Sequence, residues 1–310
     1  MTTASRSTFP IFPIDPRRWL LQRNAYELLQ RLEAAASTSD PGPEVVHRLR
    51  TGTRRSGALL ESLLERPGRS REFSGKQKQA GKLLRQWKTL RRAAGAVRDL
   101  DVHLELLEKL RKTAAKSTDA KLPLLQTQFE RLEAWLKLHR SREAAALQGQ
   151  SRKRLDRCKE LTTAVLGEAP ALAVAPVVAE APGRSVVSPA KLALEDFYGV
   201  SEANPHLDSA NLHDFRKATK QARYVAEAGQ RQPDAVAVDK ALKRIQDAIG
   251  DWHDLDALHA EARKALGDSS GLEALLRGMA EKKMLQAIAF SERMRRRLLG
   301  ERLALRGRRK

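Results

Sequence analysis

Apolar residues recur at three- and four-residue spacings along most of the chain, a pattern typical of helices that bury one face. No segment shows the alternation of β-branched and polar residues that a half-buried strand requires. The predicted fold class is therefore all-α. The spacing predicts eight helices, at about 16–36, 44–65, 76–116, 124–166, 189–198, 208–230, 234–265 and 269–305.

The predicted helices fall into two groups, separated by a stretch without helical periodicity. Residues 168–187 are rich in Ala, Pro and Val, a composition typical of linkers. Asp15-Pro16 and Ser188-Pro189 each place a capping residue before a proline, which favours the start of a helix. The two groups are expected to form one domain. Its expected order is a disordered lead-in (1–14), a first four-helix bundle (15–167), the linker (168–187), a second four-helix bundle (188–305) and a basic tail (306–310).

Two short motifs each occur twice in the chain, in the same order. The first reads H-x-x-R-x-x-x-R-R from His47 and H-x-x-R-K-x-x-K-x-x-R-Y from His213. The second reads G-x-x-R-D-x-D from Gly95 and G-x-x-x-D from Gly250. The copies are separated by 166 and 155 residues, respectively. Because these offsets nearly agree, the sequence predicts an internally duplicated, pseudo-symmetric protein.

The first motif lies on helices with one cationic and one apolar face. At about 100° per residue, His47, Arg50 and Arg54 fall within roughly 60° of one another, opposite a run of leucines. The equivalent face of the second copy carries His213, Arg216, Lys220, Arg223 and Tyr224. Each copy is therefore expected to bury one face and to present cations on the other.

The second motif places a glycine within a stripe of polar residues, most of them cationic in the first copy. The stripe contains Lys88, Arg91, Arg92, Gly95, Arg98 and Asp99 in the first copy, and Lys243, Gly250, His253 and Asp254 in the second. Glycine inside a helix costs about 1 kcal/mol relative to alanine, so another group is expected to approach closely at both glycines. The aspartates Asp99, Asp101, Asp254 and Asp256 are expected to orient neighbouring arginines.

The charge balance points to a polyanionic partner. The 310 residues include 58 Lys and Arg against 38 Asp and Glu, a net charge of +20. Nucleic acid, an anionic membrane surface or a phosphate polymer would match this charge. A single cysteine, Cys158, fits a reducing compartment. With no secretory signal and no transmembrane pattern, we predict a cytoplasmic protein without a membrane partner.

Together the four motifs resemble the CHAD family, the conserved histidine alpha-helical domain, over residues 47–256. The resemblance implies two pseudo-symmetric helical bundles whose basic helices line a central channel that binds inorganic polyphosphate. It also implies a location on polyphosphate granules. The chain departs from the family pattern at Gly57, where the family usually continues with an arginine, and at Gln221, where a second cation is common.

Catalytic and metal-binding alternatives lack their usual signatures. The sequence has no P-loop, no Rossmann fingerprint and no evident Ser/His/Asp or Cys/His arrangement. A metal at His47 or His213 would lie among arginines and be repelled unless an anion joined it. We therefore predict a binding protein that is not an enzyme and uses neither a metal nor a cofactor. A metal-dependent phosphohydrolase is the less favoured alternative.

Aromatic content separates the possible polyanions. Aromatic residues make up 5% of the chain, whereas proteins that bind single-stranded nucleic acid place aromatic side chains among their cations. Inorganic polyphosphate is the favoured partner, and a nucleic-acid backbone is the second candidate. The residues expected to contact polyphosphate are His47, Arg50, Arg54, Arg55, Arg85, Lys88, Arg91, Arg92, Arg98, His213, Arg216, Lys217, Lys220, Arg223, Tyr224, Lys240 and Lys243.

Overall fold

The described part of the chain is helical, as its hydrophobic pattern predicts. The structure, a computed structural model, describes residues 16–64, 75–115, 125–168, 188–227 and 232–300. Within these ranges there are eight helices and no strand, which confirms the all-α prediction. None of these helices is both long enough and apolar enough to cross a membrane. The helices are α1 (Pro16–Ser37), α2 (Pro43–Leu64), α3 (Gln77–Ala115), α4 (Gln126–Leu166), α5 (Pro189–Ala203), α6 (Leu212–Glu227), α7 (Pro233–Leu266) and α8 (Gly271–Leu299).

Most helix boundaries lie within a few residues of the predicted ones, and α6 shows why a boundary moves. This helix was expected to begin near 208 but begins at Leu212. The side-chain oxygen Oδ1 of Asp208 accepts hydrogen bonds from the backbone N–H groups of Ala210 and Asn211, at 2.9 and 3.0 Å. This local turn competes with helix formation and delays the start of α6.

The end of α8 also differs from the prediction. The helix was expected to continue to about 305, but it ends at Leu299. Gly300 follows with a φ of 55°, in the left-handed region that terminates helices and favours glycine. The backbone N–H of Gly300 bonds the carbonyl of Arg296 and completes the last turn.

One of the two predicted proline starts can be compared with the structure. Pro189 lies in the first turn of α5, as expected, but the side chain of Ser188 makes no capping hydrogen bond. The proline, whose missing N–H needs no partner at this position, is therefore the effective start signal. Asp15, the lead-in (1–14), the tail (306–310) and all but the first residue of the linker (168–187) lie outside the described residues.

Packing divides the chain into two compact units. Of the described residues, the first unit comprises 16–64, 75–101 and 138–168, and the second comprises 102–115, 125–137, 188–227 and 232–300. The first unit thus contains α1, α2, α3 up to Asp101 and α4 from Leu138 onward. The second contains the rest of α3, the first part of α4, and α5 to α8. Residues 102–115 and 125–137, assigned from the sequence to the first bundle, group with the second unit.

The core of the first unit is built from apolar side chains of all four of its helices. Leu28 of α1, Leu49 of α2, Trp87 of α3 and Leu161 of α4 belong to one buried cluster. Full burial of such a side chain contributes about 1.5–3 kcal/mol relative to exposure. This burial determines which face of α2 remains at the surface of the unit.

The core of the second unit centres on two phenylalanines. The rings of Phe197 in α5 and Phe215 in α6 are fully buried, with centroids 6.1 Å apart. Ile245 and Ile249 of α7 and Met294 of α8 belong to the same cluster. Because Phe215 lies within the H-x-x-R motif, its burial orients the motif's cationic face.

Hydrogen bonds show why the first part of α4 groups with the second unit. The indole Nε1 of Trp135 donates to Oε2 of Glu261 in α7 at 3.1 Å. Oε1 of Gln128 accepts from the backbone N–H of Leu272, in the first turn of α8, at 2.7 Å. Both partners are more than a hundred residues away in sequence, so no local pattern could have assigned this segment.

The chain's single cysteine lies in the core of the first unit. Cys158 is fully buried, and this burial raises the pKa of its thiol to about 11. We predict that a thiol-specific reagent such as DTNB labels the native protein at least about a hundredfold more slowly than the urea-unfolded chain, because the reactive thiolate is scarce and inaccessible. Similar labelling rates in both states would contradict the burial of Cys158.

Candidate functional site

In the first unit an arginine and an aspartate join the cationic faces of α2 and α3. Nη1 of Arg50 donates to Oδ1 of Asp99 at 2.9 Å, which confirms the expectation that Asp99 orients an arginine. A Cβ atom added to Gly95 would lie 3.9 Å from Nε of Arg50, an ordinary contact distance. Both members of the ion pair are more than a third exposed, so the pair contributes more to the position of Arg50 than to stability.

A cleft of about 260 Å³ opens between α2 and α3 of the first unit. The hydroxyl of Thr53 in its lining donates to the backbone carbonyl of Leu49 at 3.0 Å. Arg85, Lys88 and Arg91, three of the predicted ligand residues, lie together at the cleft. Within the described ranges, none of these three is paired with a carboxylate. The full lining is Thr53, Gly57, Glu61, Leu84, Arg85, Trp87, Lys88 and Arg91.

The other predicted ligand residues of the first unit differ in exposure. Arg54 and Arg98 are half-buried. His47, Arg55 and Arg92 are exposed. All five are carried by α2 or α3. The structure therefore places every predicted ligand residue of this unit on one pair of helices, and three of them at the cleft.

In the second unit Arg216 of α6 approaches the glycine of α7 more closely than Arg50 approaches that of α3. Nε of Arg216 donates to the carbonyl of Gln246 at 3.3 Å. A Cβ atom at Gly250 would lie 3.1 Å from Nη2 of Arg216, so this approach requires glycine unless the arginine moves. The expected close approach is therefore confirmed at Gly250, and the approaching group is Arg216. At Gly95 the corresponding contact is looser.

Carboxylates neutralise two of the predicted lysine ligands of the second unit. Nζ of Lys217 lies 3.0 Å from Oδ1 of Asp214. Nζ of Lys243 lies 2.7 Å from Oδ2 of Asp247. Lys240 is exposed at the surface of α7. Two lysines that the sequence assigned to a phosphate ligand thus already have anionic partners.

Arg223 is held between two carboxylates. Its Nη2 lies 3.6 Å from Oε2 of Glu227, and its Nε lies 3.8 Å from Oδ1 of Asp239 in α7. Its guanidinium also lies over the ring of Tyr224, 5.4 Å from the centroid. The side chain is only 18% exposed. Arg223 is therefore committed to contacts within the protein. Lys220 is half-buried.

Two imidazole rings lie together in the second unit. The centroids of His213 in α6 and His253 in α7 are 5.0 Å apart. Burial, together with the nearby charges of Lys217, His253 and Arg216, lowers the pKa of His213, and Asp214 acts in the opposite direction. An anion bound here would offset these cations and favour protonated His213.

His253 was not counted among the ligand residues, although the sequence places it on the cationic stripe beside Gly250. Its helical register was the signal that could have identified it. Nδ1 of His213 is buried and has no hydrogen-bond partner among the described residues. No group of three His, Cys, Asp or Glu residues in these ranges lies close enough to hold a metal ion.

In each unit an arginine binds the loop that precedes the basic helix. Nη2 of Arg140 donates to the carbonyl of Pro41 at 2.9 Å, and Nη1 pairs with Asp40. Nε of Arg140 donates to Oδ1 of Asp101 at 2.7 Å, which confirms that Asp101 orients an arginine. These contacts attach the start of α2 to α3 and α4.

The corresponding arginine of the second unit is Arg295. Its Nη1 and Nη2 donate to the carbonyls of Asn204 and Pro205, at 2.6 and 2.9 Å, in the loop before α6. Arg295 follows Arg140 by 155 residues, the offset that separates Gly95 from Gly250. Neither arginine lies in a motif, and most of their partners lie far away in the chain, so no sequence pattern identifies them.

Comparison with known proteins identifies a family and a shared fold. A family model described as CHAD domain matches residues 21–263. A solved structure, PptA from Streptomyces chartreusis, matches with a TM-score of 0.58 and 17% sequence identity, over 92% of this chain and 98% of that chain. At this identity the likeness concerns the fold alone. No curated protein matches the chain.

The Arg140 contacts generate a stability prediction. Asp101 is buried, with a side chain that is only 2% exposed, so Arg140→Met would leave its charge without a partner. We expect a loss of about 3 kcal/mol in the free energy of unfolding, measured by urea denaturation. Arg142→Met, at an exposed position of the same helix, is the matched control and should change it by less than about 0.5 kcal/mol. Equal effects of the two substitutions would show that the Arg140 contacts are not structural.

Proposed function

The chain belongs to the CHAD family, whose known property is polyphosphate binding, and we propose that it binds inorganic polyphosphate without cleaving it. The observation that carries the proposal is the cluster of Arg85, Lys88 and Arg91 at the cleft of the first unit. These cations have no carboxylate partners within the described ranges, so phosphate oxygens can neutralise them without displacing an internal anion.

The proposed contacts suit a ligand that offers only charge and acceptor oxygens. Guanidinium groups bind phosphate through paired N–H donors, and lysines add mobile point charges. Leu84 and Trp87 are the apolar residues of the cleft lining, and both also pack in or against the core. Because the Trp87 side chain is only 1% exposed, it cannot serve as a stacking platform. This lack of a stacking surface favours polyphosphate over single-stranded nucleic acid.

We further propose that the two units descend from a duplication and that both carry polyphosphate contacts. The parallel positions of Arg50 and Arg216, and of Arg140 and Arg295, support this. The central channel and the location on polyphosphate granules, both implied by the family resemblance, remain predictions.

Direct titration with long-chain polyphosphate tests the proposed function. We expect binding whose affinity falls by at least about a hundredfold between roughly 50 and 200 mM salt, as for a protein that neutralises about four phosphates and releases their counterions. Duplex DNA should compete only at much higher phosphate concentration. The proposal fails if polyphosphate does not bind at low salt, and displacement by DNA at equal phosphate concentration would favour the nucleic-acid alternative.

The environment of His213 generates a pH prediction. Bound phosphate would raise the pKa of His213, which is lowered in the free protein from its ordinary value of 6.5. Binding therefore takes up a proton, and affinity should increase as pH falls from about 8 to about 6, the range in which histidines titrate. We expect His213→Gln to reduce this pH dependence, measured by titrations at several pH values. An unchanged pH profile in the variant would contradict a ligand next to His213.

A further inference from the structure

Equivalent positions of the two basic helix pairs carry different side chains. Two contacts set the correspondence: the hydroxyls of Thr53 and Thr219 each donate to the carbonyl four residues earlier, at 3.0 and 2.8 Å, and Arg50 and Arg216 each approach the glycine of the next helix. Offsets of 166 residues between α2 and α6, and of 155 between α3 and α7, therefore align the pairs. Four of the differing positions, first unit first, are Gly57 and Arg223, Leu84 and Asp239, Arg91 and Gln246, and Arg92 and Asp247.

These differences change the space between the helices. In the second unit Arg223 connects α6 to Asp239 of α7, and Glu227 of its own helix flanks it. In the first unit Gly57 provides no side chain at this position, and a Cβ added there would meet only Leu84, at 4.0 Å. The position that an arginine occupies in the second unit is thus part of an open cleft in the first.

The differences also change the local charge. The cleft lining of the first unit carries three cations and one carboxylate, Arg85, Lys88, Arg91 and Glu61, and the next residues in sequence, Arg54 beside Thr53 and Arg92 beside Arg91, add two more cations. The equivalent positions of the second unit carry four cations and three carboxylates, namely Lys220, Arg223, Lys240, Lys243, Glu227, Asp239 and Asp247. A phosphate chain at the second unit would therefore have to displace or approach carboxylates, which weakens its attraction to the lysines and arginines.

We propose that the two units bind polyphosphate unequally and that the open cleft beside Gly57, with Arg85, Lys88 and Arg91, is the principal phosphate-binding site. The inference rests on the proposed function and goes beyond it, because the family resemblance implies two similar halves. The second unit contributes weaker contacts, since several of its cations are already neutralised within the protein.

A matched pair of double substitutions in the full chain tests the inequality. Arg85→Gln with Lys88→Gln removes two exposed cations from the first unit, and Lys240→Gln with Lys243→Gln removes two exposed cations from the equivalent positions of the second. Both variants lose the same net charge. We expect the first to weaken long-chain polyphosphate binding about tenfold or more and the second by less than about threefold. The first removes two cations without carboxylate partners in the described ranges, whereas Lys243 of the second already pairs with Asp247.

A neutral substitution separates the cleft from overall charge. Gly57→Met fills the open space without changing the charge, so it should also weaken binding severalfold if phosphate enters the cleft. Gly149→Met is the control, because Gly149 is an exposed helical glycine of the same unit with nothing within 4 Å of an added Cβ. Circular dichroism and thermal melting of each variant verify that the fold is retained.

The outcomes distinguish failure of the inference from failure of the proposed function. Equal losses in the two double variants, or a larger loss in the second, would overturn the inequality while leaving polyphosphate binding intact. Unchanged binding by Gly57→Met would show that phosphate does not enter the cleft, which also overturns the inference. Absence of binding by the unsubstituted protein would overturn both.

Discussion

Repulsion between like charges is the constraint on which this structure depends. Two packed helices that carry several lysines and arginines on one surface repel each other. Nearby carboxylates, burial of the opposite helix faces in an apolar core, or a bound anion can offset this repulsion. The second unit relies largely on carboxylates, such as Asp239 and Asp247. The first leaves Arg85, Lys88 and Arg91 without such partners. A bound polyanion would relieve repulsion that such an arrangement already contains.

The apolar cores hold the cationic surfaces in place against this repulsion. Leu49 and Phe215 lie two residues after the motif histidines and are fully buried, so the opposite face of each basic helix stays at the surface of its unit. Arg140 and Arg295 then attach the loop before each basic helix to the last helix of its bundle. Position therefore comes from burial and from buried or half-buried hydrogen bonds, whereas the exposed cations remain available to a ligand.

The contacts of Arg216 explain why the motif of the second unit contains glycine. Arg216 reaches Gln246 across Gly250, where a methyl group would be 3.1 Å from the guanidinium. In the first unit Arg50 reaches Asp99 with more space, because a Cβ at Gly95 would lie 3.9 Å from Nε of Arg50. A motif that reads as a row of phosphate ligands thus contains at least one arginine per unit whose contacts are partly structural. The residues of the neighbouring helix decide whether a motif arginine makes structural contacts or can contact phosphate.

The sequence by itself determined the helices, the faces they bury and the repeated cationic motifs, because these depend on spacing along one helix. It also contained the residues that distinguish the units, such as Gly57 and Arg223, but not what those residues would contact. Only the tertiary structure decided that Asp101 binds Arg140, that Arg223 reaches Asp239 of α7, and that residues 102–115 and 125–137 group with the second unit. These outcomes depend on pairs of residues on different helices or on packing between helices. The periodicity of a single helix shows which face a cation occupies, but its partner is set by how the next helix packs against it.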